Sequence, residues 1–234
     1  MGQKVNAHGF RVGITEDWSS RWFAPKAAYA EFLIEDSKIR AFIDKQLNRQ
    51  PPYAAVSNIE IERTRNDVKV VLHTARPGLV IGPKGAEVDK LKESLEDLVD
   101  RKISVNIVEI KAPDRDAQLI AESIGEQLKK RGSFRRIMKQ RCDTAMEAGA
   151  VGIKIKLSGR LGGAEMARQE TQIRGSIPLH TLQANVKYGF AESFTKSGAI
   201  GVKVWLYHGR YGEEAPAEGI IGVRRRDGRR MRRA

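Results

Sequence analysis

Apolar positions recur along the chain in two rhythms, and each predicts an element. Ile39, Phe42, Ile43 and Leu47 fall three or four apart, which predicts a helix over residues 37–49, capped by Ser37 and ended by Pro51-Pro52. Ile59 and Ile61 then alternate with Glu60 and Glu62, and Val68, Val70 and Leu72 alternate with Lys69, Val71 and His73. With Arg65-Asn66-Asp67 as the turn, these runs predict a hairpin. Pro77–Ile81 begins a short helix or turn and runs into Gly82-Pro83-Lys84-Gly85. Val88, Leu91, Leu95, Leu98 and Val99 predict a longer helix after it, and Ile103, Val105 and Ile107 a further strand.

The second half opens helically. Ala117, Ile120, Ala121, Ile124 and Leu128 share one face of a helix over 116–130. Gly132-Ser133 breaks it, and Ser133 is positioned to cap the next helix. There Phe134, Ile137, Met138, Cys142 and Ala145 form a buried stripe, which leaves Arg135, Arg136 and Lys139 together on a solvent face. Val151, Ile153, Ile155 and Leu157 alternate as a strand, and so do Val202, Val204 and Leu206. The expected organisation is an arm over 1–16, a first domain over 17–110, a second α+β domain over 111–209 and a tail over 210–234.

Charge then narrows the function. The 234 residues carry 42 Lys+Arg against 29 Asp+Glu, a net +13. Residues 1–110 are nearly balanced, with 17 basic and 16 acidic, whereas residues 111–234 hold 25 and 13. Such an excess points to a polyanion, RNA first. Arg224, Arg225, Arg226, Arg229, Arg230, Arg232 and Arg233 crowd the last residues among Gly222 and Gly228. That composition predicts a flexible basic tail which orders on nucleic acid. The single Cys142 permits no disulfide framework, and its apolar stripe marks it as core. His8, His73, His180 and His208 are scattered without metal spacing, and there is no Gly-x-x-x-x-Gly-Lys-Ser/Thr. No enzyme, no cofactor and no membrane partner is expected. The start, Met1-Gly2-Gln3-Lys4, has no apolar region of a secretory signal.

The order helix, strand, strand, short helix, Gly-x-x-Gly, long helix, strand resembles a KH domain of type II (α-β-β-α-α-β), whose loop clamps single-stranded nucleic acid. Glycines let a phosphate approach the backbone, and the following helix N-terminus favours an anion. Gly82, Lys84 and Gly85 are the candidates in the loop; Pro83 removes one N–H donor.

A more specific resemblance runs from residue 1 to about 209. Met1-Gly2-Gln3-Lys4-Val5-Asn6 with Gly9-Phe10-Arg11, His73-Thr74-Ala75-Arg76-Pro77-Gly78, Phe134-Arg135-Arg136, the run Ser158–Glu165, Pro178-Leu179-His180-Thr181-Leu182 and Gly201-Val202-Lys203-Val204-Trp205 resemble hallmarks of the KH-containing small-subunit ribosomal protein family S-three. Ala7 stands where that family usually has proline. The resemblance implies a type II KH domain followed by an α+β domain with two helices on a mostly antiparallel sheet, then the basic disordered tail. It implies a cytoplasmic protein of the bacterial ribosome, on the head of the small subunit. The implied partners are 16S-type ribosomal RNA, messenger RNA, proteins S-ten and S-fourteen in the head, and S-four and S-five around the messenger entry channel. Residues matching Arg135, Arg136 and Lys139, with Arg131 of the same acid-free run, would help unwind messenger structure. Lys4, Arg11, Arg160 and Arg168 join the loop as expected RNA contacts. A free-standing KH regulator would explain loop and charge equally well; the second domain is what separates the two. Trp18, Trp22 and Phe23 are expected to pack the arm onto the KH domain.

Overall fold

The computed structural model describes residues 4–49, 53–64 and 67–212. It opens on α1 (Ala7–Arg11), a single helical turn capped by Asn6, whose side chain accepts from the His8 N–H. The first unit then follows as β1 (Ser20–Arg21), α2 (Lys26–Ile43), β2 (Val56–Arg63), β3 (Asp67–Thr74), α3 (Pro77–Ile81), α4 (Ala86–Val99) and β4 (Lys102–Glu109). The sheet runs β1-β2-β3-β4, with β2 and β3 antiparallel and both outer pairs parallel. Ile39 and Ile43 of α2 and Leu91, Leu95 and Val99 of α4 bury against Ile61, Val68, Val70, Leu72 and Ile103. From α2 onward this is the expected type II KH order.

Helix α2 begins eleven residues before the expected Ser37, which lies exposed within it. No residue of its first half is buried, and its first buried positions are charged instead of apolar. Glu35 and Asp36 are nearly buried and pair with the Arg63 guanidinium, while Arg101 reaches Glu35 and Glu31. Trp22 donates to Asp36 at 2.8 Å and packs against Tyr29 and Phe32.

The second unit comprises α5 (Ala117–Lys129), α6 (Phe134–Glu147), β5 (Gly152–Gly159), β6 (Arg168–Gly175), β7 (Ala184–Thr195) and β8 (Gly198–Arg210). The sheet order is β6-β5-β8-β7, antiparallel throughout. Ile120, Ile124 and Leu128 of α5 and Ile137, Met138 and Cys142 of α6 cover Ile153, Ile155, Leu157, Val202, Val204 and Leu206 on one face of the sheet. Strands β6 and β7 carry no clean alternation of large apolar residues. In β7 the positions under α5 are small: a Cβ on Gly189 would lie 2.2 Å from the Ala117 carbonyl, and Ser193 donates to Gly125 O at 2.8 Å. Close helix–sheet approach replaces hydrophobic bulk there.

Two boundaries move. Tyr211 donates its N–H to Gln183 O, so the second unit extends past 209; the basic tail expected beyond it falls outside the described residues from 213 on. The arm docks on the second unit, not on the KH unit: Ala7 packs with Ala184, Val186 and Tyr207. Trp18 and Phe23 remain exposed, and Trp22 packs on α2 without the arm, so none of the three joins arm to KH unit as expected.

Arg11 is corrected with it. It is 0% exposed, and its guanidinium donates to the carbonyls of Ala7, Thr181 and Ala184 at 2.7–2.9 Å, with Pro178 and Leu179 at 3.4 Å. With its donors spent on backbone, Arg11 is a clip between arm and second unit and is not presented to RNA.

The units meet at Asp116, which caps α5 through the Gln118 and Leu119 N–H groups and accepts from the Ser57 hydroxyl of β2 at 2.6 Å. Nearby, burial pushes the Glu122 carboxyl up to about 7, with Asp44, Asp116 and Glu126 adding repulsion.

Two outcomes are expected. Arg11→Ala strands several buried carbonyls and lowers unfolding free energy by about 3 kcal/mol, read by denaturant titration. Glu122 binds its proton more tightly folded than unfolded, so its contribution to stability falls as pH rises from about 4.5 to about 7. Glu122→Gln therefore exceeds the parent by on the order of 1–3 kcal/mol at pH 8, and the two curves meet near pH 4.

Candidate nucleic-acid interface

The cations expected on α6 are held outward by the stripe beneath them. Ile137, Met138, Cys142 and Ala145 are buried, whereas Arg135, Arg136 and Lys139 are exposed, Arg135 with 72% of its side chain open. Burial also pushes the Cys142 thiol up to about 11, so it is an unreactive core group.

Arg131 reaches the same corner through the end of α5. The Gly132 N–H donates to Gln127 O and the Arg131 N–H to Leu128 O, the paired bonds that close a helix when the residue past the cap is left-handed. Arg131 occupies that position at φ 59°, where glycine is usual. Gly132 cannot take the role of a larger residue, because its Cβ would lie 2.7 Å from Ile137 Cδ1. Lys129 and Lys130 are exposed beside it.

Arg160 stands in the loop between β5 and β6, and Arg168 opens β6. Leu161 is buried, and Gly162 at φ 69° passes Phe134 closely enough that a Cβ would lie 3.8 Å from its ring. Phe134 sits beneath two guanidinium groups, Arg135 at 5.5 Å and Arg168 at 5.6 Å from the ring centre. Glu170 lies 3.6 Å from Arg135 and 3.8 Å from Arg168. These exposed pairs are weak, so a phosphate competes with Glu170 at small cost. Arg160 bonds the Ala164 carbonyl through Nε and is otherwise exposed. The structure thus brings Arg135 and Arg168, separate in sequence, together over Phe134, with Arg131, Arg136, Lys139 and Arg160 exposed on the elements around them.

The KH loop has the expected backbone but a different electrostatic setting. Gly82 at φ 68° needs glycine twice over, for its conformation and because a Cβ would lie 2.5 Å from Glu87 Cγ. Gly85 at φ 85° faces open space. Glu87 and Asp89 occupy the first turn of α4, and Glu87 pairs with Lys90 at 3.1 Å. Those carboxylates already answer the helix's positive end and oppose an incoming phosphate. The Lys84 side chain lies outside the described part of the structure. Lys4 is exposed at the start of the arm. Among the described residues no cluster of His, Cys, Asp or Glu fits a metal ion, and no helix is long and apolar enough to cross a membrane.

A KH unit joined to a cation-faced α+β unit defines a protein of the RNA-binding class. The KH domain family model matches residues 38–115, and the family model described as Ribosomal protein S3, C-terminal domain, matches residues 124–206. The chain is 53% identical over 215 residues to the small ribosomal subunit protein uS3 of Rhodopirellula baltica, covering 92% of this chain and 91% of that one. It is 54% identical over 224 residues to uS3 of Desulforamulus reducens, covering 95% and 100%. The chain belongs to the uS3 family of small ribosomal subunit proteins.

Arg131→Gly tests the corner's geometry. Relief of the left-handed backbone is expected to raise unfolding stability by about 1 kcal/mol. Loss of the cation is expected to lower the salt slope of single-stranded RNA binding by ~0.7 if it touches one phosphate.

Proposed function

We propose that the chain is a structural, non-catalytic protein of the small-subunit head which binds 16S-type ribosomal RNA and lines the messenger entry channel in the bacterial cytoplasm. Its neighbours would be S-ten and S-fourteen in the head and S-four and S-five at the channel. The observation that carries this reading is the basic corner around α6. Arg131, Arg135, Arg136 and Lys139, flanked by Arg160 and Arg168, face solvent from fixed backbone.

Such a surface supports unwinding without a nucleotide site. Cations fixed on a channel wall bind the phosphates of strands already held apart and disfavour their re-pairing. The ribosome's forward step supplies the work. The KH loop and Lys4 would add RNA contacts. The loop adds less than the corner, because Glu87 and Asp89 stand behind it.

The combined substitution Arg135→Ala, Arg136→Ala, Lys139→Ala leaves the buried stripe intact, so folding should survive. The salt slope for single-stranded RNA is expected to fall by ~2, at about 0.7 per contact. Ribosomes reconstituted with this variant should slow on a messenger hairpin and keep their speed on an unstructured template. Equal speed on both templates would remove the unwinding role. Failure of the unaltered chain to stay with small subunits through a high-salt gradient would favour a free-standing KH regulator instead.

A further inference from the structure

The face of the second sheet turned away from α5 and α6 carries a second basic surface, and it is built differently. Registered neighbours across the strands share a face. One row reads Ile173, Lys154, Trp205 and Tyr188, and the next reads Thr171, Lys156, Lys203 and Phe190. Three lysines therefore stand beside three aromatic rings. Lys154 Nζ lies 5.2 Å from the centre of the Trp205 ring, Lys203 Nζ lies 6.0 Å from that of Phe190, and Tyr188 packs on Trp205 at 5.5 Å. Phe190 is 40% exposed and Ile173 55%.

The platform has definite ends. At one end Tyr207 and Val186 are covered by Ala7, and Trp205 and Tyr188, each partly buried, pack against that cluster with Ile177 and Leu179. At the other end stand Gln169, Ser158, Gly201 and Glu192, where Glu192 is the one carboxylate of these rows.

We propose that this face holds an unpaired segment of the small subunit's ribosomal RNA, bases on the rings and phosphates on the lysines. A cation resting on an aromatic face is displaced by a base at little cost, because the base offers the ring a stacking partner and the phosphate offers the lysine a stronger one. Four-stranded sheets with exposed aromatics bind unpaired RNA by this arrangement, one splayed base to a ring. Two residues along a strand advance about 7 Å, so Trp205 and Phe190 present separate stacking positions. Ribosomal RNA is favoured over messenger because the α6 corner lies across the helix layer, on the opposite side of the sheet. One strand threading the α6 side does not reach both. The inference rests on the chain's place in the small subunit, but not on the unwinding role of α6.

The first test needs no substitution. Lys154, Lys156 and Lys203 are footprinted with an amine-acetylating reagent in the free full-length chain and in purified small subunits, read by mass spectrometry. At least tenfold protection in subunits is expected, with reactivity returning after nuclease digestion. Equal reactivity in both states overturns the proposal, and so does protection that survives nuclease, which would assign the face to a protein. The second test uses the full chain with U-rich single-stranded RNA and a blunt RNA duplex. Lys154→Thr, Lys156→Thr, Lys203→Thr together should lower the single-strand salt slope by ~2. Phe190→Thr should weaken single-strand binding roughly tenfold and leave duplex binding unchanged. Unchanged slopes and affinities overturn the platform. All these variants keep α6 intact, so their outcome is separable from that of the hairpin assay.

Discussion

The organisation of this protein depends on one packing constraint: the burial of one face of α6 against β5. Ile137, Met138, Cys142 and Ala145 are at most 5% exposed. A helix whose stripe is fixed to that degree has no rotational freedom left. Arg135, Arg136 and Lys139 follow outward from the stripe by helical geometry alone. The same packing fixes Phe134, and Phe134 in turn receives the loop that delivers Arg168. A cationic surface on a protein is usually a set of mobile side chains. Here the backbone beneath each charge is pinned by the core, so charge density at the corner is set by packing.

Arginine serves two opposed purposes in the chain, and residue type alone does not tell them apart. Arg135 keeps most of its side chain in water, where its guanidinium can exchange the weak pair with Glu170 for a phosphate. Arg11 is fully buried and gives its donors to backbone carbonyls of the arm and of the loop before β7. A buried guanidinium is stable only when its fork is filled, and a set of converging carbonyls fills it without a counter-charge. Arg63 meets the same demand with Glu35 and Asp36. The arm therefore belongs to the fold of the second unit. Its docking also sets where the outer face of that sheet stops being open.

Elements whose burial is apolar and periodic were legible in the sequence. These include β2, β3, α4, β4, α5, α6 and β5, and for them the type of element, its order and its buried face follow from spacing. The first half of α2 escaped because none of its residues is buried, and the next positions to turn inward, Glu35 and Asp36, are charged. Strand β7 escaped because glycine and serine stand where α5 presses on the sheet, so the hydrophobic signal vanishes where the packing is tightest. Strand β6 lies at a sheet edge and is polar on both sides. The α6 cations were legible for the same reason as α6 itself. The meeting of Arg135 with Arg168 was not, since it depends on both reaching Phe134 and Glu170 from separate elements. The outer sheet face was hidden for a related reason. Lys154, Lys156, Lys203, Trp205 and Phe190 lie on three strands, and only their register places them side by side.

Register also explains why the second unit carries two basic surfaces while the KH unit carries a mixed one. A sheet covered by helices on one side spends its apolar residues there, and strand alternation sends whatever remains to the other side. In β5 the remainder is Lys154, Lys156 and Ser158, and in β8 it is Lys203 and Trp205. The KH sheet follows the same rule, but its remainder is mixed: Glu60 and Glu62 of β2 stand beside Lys69, Val71 and His73 of β3. Its glycine loop opens into a helix that begins with two carboxylates. Most of the chain's positive excess lies in residues 111–212, with 18 basic against 9 acidic, on the unit where alternation and helix packing both deliver lysine and arginine to solvent. The KH unit contributes shape and a backbone able to approach a phosphate closely. The denser positive surface lies on the unit beside it, and the Ser57–Asp116 hydrogen bond, made by the residue that also caps α5, joins the two.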